Sequence, residues 1–149
     1  MKMKAGSSPA LATALLLAAS AVTVSGCGKP EAFTPAVRDP MTVIAIVTYD
    51  GKTTRMTTSQ GLPDKLIRLS ERFHDTVQWS SPYGEVHIVK WTPKSPFDKD
   101  PVHEWKVLKS GPPSRGAHVQ KEFKYDAELW LDPEGKNRVS IDPRIEIME

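Results

Sequence analysis

The sequence predicts a mostly β protein, an antiparallel β-sandwich. Two observations carry that expectation, and a third removes the main competitor. From Met41 onwards, β-branched and aromatic residues gather in short runs that alternate apolar with polar side chains, the period of a strand with one covered face. Turn signals rich in Gly, Pro, Asn and Asp separate these runs at intervals of about ten residues, the spacing of sandwiches and barrels. No heptad array, internal repeat or low-complexity tract competes with this pattern.

Taken in order, "MTVIAIVTY" (Met41 to Tyr49) is short, β-branched and nearly all apolar, which suits a strand buried on both faces. Asp50-Gly51 is a strong hairpin signal, and the threonine-rich "TTRMTTS" after it reads as the returning strand. Leu62 to Phe73 carries both periods. Leu62, Leu66, Leu69 and Phe73 fit a helix, whereas Ile67 and Leu69 also fit a strand. "DTVQWSS" and "EVHIVKWT" read as strands joined by the turn "SPYGE", with Val86 and Ile88 opposed to His87, Val89 and Trp91. The proline-rich loop "TPKSPFDKDP" leads to "VHEWKVL", where His103, Trp105 and Val107 are expected on one face. "KSGPPSRGA" forbids regular structure. "EFKYDAELWL" is the longest strand pattern, with Phe123, Tyr125, Ala127, Leu129 and Leu131 on one side. After "DPEGKN", Val139, Ile141, Pro143, Ile145 and Ile147 alternate to the end. Trp79, Trp91, Trp105 and Trp130 are expected to supply much of the packing.

Ahead of this domain stands a leader. Lys2 and Lys4 precede a run of apolar and small residues from Ala10 to Val24, shorter than the roughly 20 residues that span a bilayer as a helix. The stretch Val24-Ser25-Gly26-Cys27, holding the sole cysteine of the chain, resembles the lipobox of bacterial lipoprotein precursors. That resemblance implies cleavage between Gly26 and Cys27 and acylation of the Cys27 thiol and its new amino terminus. Two or three chains are needed for firm anchoring, because one acyl chain holds only marginally. Gly28, where aspartate would favour inner-membrane retention, implies an outer-membrane location facing the periplasm. The expected organisation is a signal peptide over 1–26, an acylated cysteine and tether over 27–40, and a β-sandwich domain over 41–149.

Lys2 and Lys4 account for two of the 20 basic residues, so the processed chain carries 18 against 18 acidic ones. A formally neutral domain offers no basic field for nucleic acid. About 120 processed residues suffice for one core, and no disulfide is available to staple it.

The order of features from Asp75 to Phe97, with "FKYDAELWL" and "IDPRIEI" late in the chain, resembles the cupredoxin-like β-sandwich proteins, an immunoglobulin-like sandwich being the related alternative. The resemblance favours a strand over Leu62 to Leu69. It implies no copper cofactor, because a blue-copper site needs a Cys thiolate and the late strand has Tyr125-Asp126 where that ligand would stand.

Chemistry-bearing constellations are sparse. His74, His87, His103 and His118 fit no short metal motif, although His87 and His103 could face each other across neighbouring strands and hold copper or zinc with Met56 or Met148. No serine of the domain occupies a G-x-S-x-G elbow and no catalytic cysteine exists, so no enzyme is expected. The two proline loops are the candidates for recognition, with Tyr83, Phe97 and Arg115 as the expected contact residues. The sequence therefore points to a non-catalytic envelope lipoprotein, held at the membrane through Cys27, that binds an envelope partner. The alternative is a metal-handling protein using histidine and methionine.

Overall fold

The computed structural model describes residues 37–149. The leader, the lipobox and the cleavage site at Gly26 and Cys27 lie outside the described residues.

Two five-stranded sheets enclose one core. The first holds β1 (Thr42–Tyr49), β2 (Thr54–Thr58), β4 (Thr76–Ser80), β6 (Val102–Glu104) and β7 (Val107–Lys109), in the order β2-β1-β4-β7-β6. The second holds β3 (Leu66–Ser70), β5 (Glu85–Thr92), β8 (Glu122–Trp130) and β10 (Arg144–Met148), in the order β3-β10-β8-β5, with β9 (Arg138–Ile141) pairing β8. One short helix, α1 (Ala117–Gln120), precedes β8.

The mostly β sandwich is as expected, but its strands are not all antiparallel. β1 pairs β4 in parallel, and β3 pairs β10 in parallel. The Asp50-Gly51 hairpin forms, with the Asp50 carboxylate accepting from the Lys52 and Thr53 amides. Leu66–Ser70 is a strand, with Ile67 and Leu69 fully buried.

Val43, Ala45, Val47, Val77 and Trp79 of the first sheet meet Phe123, Tyr125, Ala127, Leu129, Ile145 and Ile147 of the second. Trp79 crosses between them, its Nε1 donating to the Tyr125 hydroxyl at 2.7 Å with the rings edge to face. Burying both polar tips is tolerated because each satisfies the other. β1 covers one face only. Ile46 is 40% exposed, so the apolar run does not make a strand buried on both sides.

Three further expectations fail locally. The alternation expected from Val139 to the end is broken at Asp142-Pro143 into β9 and β10, both of which pair β8. In β5 the register against β8 slips between Ile88 and Lys90, so Val89 bulges outward and Trp91 returns to the core side, against Tyr125, rather than opposing Val86 and Ile88. "VHEWKVL" is two short strands folded on themselves. Trp105 sits at the turn with φ 61° and is 97% exposed, so it contributes nothing to packing.

The domain is closed where the chain enters it. Arg38 donates through both terminal nitrogens to the Asp75 carboxylate, which also accepts from the Met41 and Ser70 amides. Burial would push the Asp75 pKa up, but these donors outweigh it and hold it below the ordinary value. Arg38, inside the expected tether, is thus part of the folded unit.

Candidate functional site

The two proline loops come together. Phe97 and Pro113 bridge as a β-pair, and the Ser114 amide donates to the Pro96 carbonyl at 2.7 Å. Phe97 turns inward, edge-on to Trp91 at 5.7 Å, and is 5% exposed. Between the loops and α1 opens a pocket of about 490 Å³. Its buried floor is Pro96, Ala117 and Phe123, and its exposed rim carries Lys94, Arg115 and Val119. Among the described residues neither Lys94 nor Arg115 makes an ion pair.

One carboxylate shapes the wall of this pocket. Glu71 accepts from the Gly116 amide at 2.6 Å, from the His118 amide at 3.1 Å and from His118 Nδ1 at 2.7 Å. Gly116 has φ 82°, a left-handed turn that suits glycine, and it starts α1. The Gly116 amide, more than the His118 contacts, lowers the Glu71 pKa to about 2, against some desolvation that raises it. Glu71 and Asp75 lie in one turn, so the pocket and the entry of the chain occupy the same end of the sandwich.

A second constellation sits where the edges of the two sheets meet. His87 on β5 and His103 on β6 have ring centroids 4.6 Å apart, and Trp130 stacks on the other face of His87 at 3.9 Å. Glu85 lies two residues before His87, its Oε2 3.5 Å from His87 Nε2. That distance exceeds a good hydrogen bond, and His87 Nε2 is buried with no hydrogen-bond partner. Such an orphaned polar atom costs on the order of 1–3 kcal/mol. Burial, reinforced by His103, lowers the His87 pKa and favours the neutral ring. His103 Nε2 lies 2.9 Å from the Val86 carbonyl, which can only accept. His103 Nε2 is therefore the donor of this contact.

Of the expected contact residues, Arg115 reaches the pocket rim, while Phe97 is a core anchor for the loop rather than a contact. The physical reason is simple: a large apolar side chain between prolines suits an exposed loop, yet the core has a place for it beside Trp91. Tyr83 is 53% exposed on a different part of the surface, beside Gly84, Lys106 and Trp130. The expected pair of His87 and His103 does meet. Its companion is Glu85 rather than a methionine, since Met56 is buried opposite Val47 on β2 and Met148 is in register with Ser70 on β10. Glu85 was legible only through its alternation with His87 on one strand face. Glu71, Lys94 and Val119 carried no sequence signal, because their roles depend on contacts between distant segments.

No protein-family model and no curated protein sequence matches this chain. Fold and local geometry therefore define it at the level of class: a mixed-sheet β-sandwich with a loop-built pocket at the end where the chain enters.

Proposed function

We propose that the protein is a non-catalytic lipoprotein of the cell envelope, anchored through acylated Cys27 and facing the periplasm from the outer membrane. Its sandwich binds a ligand or partner group between the two proline loops. The observation that carries the binding reading is the pocket itself, about 490 Å³ with an apolar floor and rimmed by Lys94 and Arg115, cations without an ion pair among the described residues. That arrangement suits a group with an apolar body and an anionic head, because the floor takes the body out of water and the rim meets the charge. The anchor reading rests on the lipobox at Val24 to Cys27.

One experiment addresses both parts. The full chain is expressed with labelled palmitate, purified in detergent and titrated with anilinonaphthalene sulfonate, an apolar ring system with one sulfonate. Label should depend on Cys27 and vanish in Cys27→Ser. The probe should bind at one site, and Lys94→Ala with Arg115→Ala should weaken it at least about tenfold, the loss of two charge-assisted contacts. Label that survives Cys27→Ser overturns the anchor, and a probe indifferent to both substitutions overturns the pocket.

A further inference from the structure

The geometry points to a site for a divalent metal ion of the zinc class at Glu85, His87 and His103, apart from the loop pocket and independent of it. One ligand atom from each of the three side chains lies within 4.8 Å of the others. Two ligand atoms on a tetrahedral zinc, with bonds of about 2.0–2.2 Å, stand about 3.4 Å apart. His87 Nε2 and Glu85 Oε2, at 3.5 Å, already have that spacing. The widest pair needs to close by at most about 1.5 Å.

The buried, unpartnered nitrogen of His87 is a second observation that itself points to a ligand. A buried histidine nitrogen with no protein partner is a place where a ligand can take up the lone pair. Nothing among the neighbouring protein atoms does so. A metal ion shared with Glu85 would satisfy both atoms at once.

The surroundings fit the same role. Metal-binding histidines commonly donate their other ring N–H to a carbonyl, which fixes the tautomer and the ring. His103 has such a partner in the Val86 carbonyl. Trp130 holds the His87 ring by stacking, and its own Nε1 donates to Glu128, which Arg138 also contacts. A cavity of about 220 Å³ touches both histidines and Asp100, leaving room for water or a further carboxylate on the ion. Two imidazoles and one carboxylate are borderline ligands that select Zn²⁺ or Cu²⁺ over Mg²⁺ and Ca²⁺. Three protein ligands leave the fourth position open.

The test is calorimetric titration of the metal-stripped full chain in detergent with Zn²⁺ alone, then with Mg²⁺ alone. One equivalent of Zn²⁺ should bind, and Mg²⁺ should not bind at the same concentration. His103→Ala and Glu85→Gln, both at positions with solvent access, should weaken zinc at least about tenfold, since even outer-shell changes at metal sites cost ten- to a hundredfold. His74→Ala and His118→Ala should leave zinc binding unchanged, and far-UV circular dichroism identifies any variant that has lost its fold. His87→Gln serves as the second variant on the buried ligand. No stoichiometric zinc, or an equal loss in the His74 and His118 variants, overturns the site.

Discussion

At the scale of single residues, the domain is organised by a few carboxylates that gather backbone donors. Glu71 closes the wall of the loop pocket by accepting two amides and one imidazole N–H. Its pKa is depressed to about 2 from an ordinary 4.5. A depressed carboxylate contributes stability that is present above the unfolded value and lost as the pH falls towards the folded one. Glu71→Gln should therefore destabilise the domain by about 1–3 kcal/mol at pH 7. The difference from wild type should shrink between pH 4.5 and 2. Urea unfolding at pH 7 and pH 3 measures it, and a gap that stays constant with pH would show that the charge does not matter. Nothing in the local sequence announced this role, because Gly116 and His118 are far from Glu71 along the chain.

At the scale of elements, period-2 patterning was legible wherever a strand ran undisturbed. β8 buries Phe123, Tyr125, Ala127 and Leu129 as its alternation requires. The pattern misled where one residue changed the register. The bulge at Val89 reverses every side chain after it, so Trp91 faces inward, and no local composition distinguishes a bulge from a straight strand. Trp105 is the opposite case. Its alternation with His103 and Val107 fits one strand, yet the chain folds back at that residue with φ 61°. A non-glycine residue pays roughly 1–2 kcal/mol for left-handed backbone, and an exposed indole offers little packing in return. Trp105→Gly should leave stability unchanged or raise it by up to about 1 kcal/mol, allowing for the freedom glycine adds to the unfolded chain. Thermal unfolding checks this, and a loss larger than that would show that the indole is held by contacts in solution.

At the scale of the whole molecule, stability depends on pairing between distant segments. β10 lies between β3 and β8, in parallel with one and antiparallel with the other. It buries Ile145 and Ile147 almost completely. Removing residues 143–149 strips a central strand and exposes both its neighbours, so cooperative folding should be lost altogether. Circular dichroism and a denaturant titration of the truncated chain would show a broad, non-cooperative transition, and a sharp transition near the wild-type midpoint would contradict the central placement of β10. The same topology makes folding slow for the domain's size, because parallel pairs such as β1 with β4 close long loops before any contact rewards them.

Taken alone, the sequence determined the β-rich class, the strands β1, β2, β4, β5 and β8, the hairpin at Asp50-Gly51, and the absence of a thiol from the domain. These follow from side-chain period and turn chemistry, which are local. It also brought His87 and His103 into view as a pair. Only the tertiary structure decided which strands run parallel, where Phe97 is buried, that Glu85 lies beside the histidine pair, and that Lys94 and Arg115 meet around one pocket whose Gly116 is held by Glu71. Those outcomes depend on register and on how two sheets close against each other, and a one-residue slip or a single buried ring changes them without altering the local pattern.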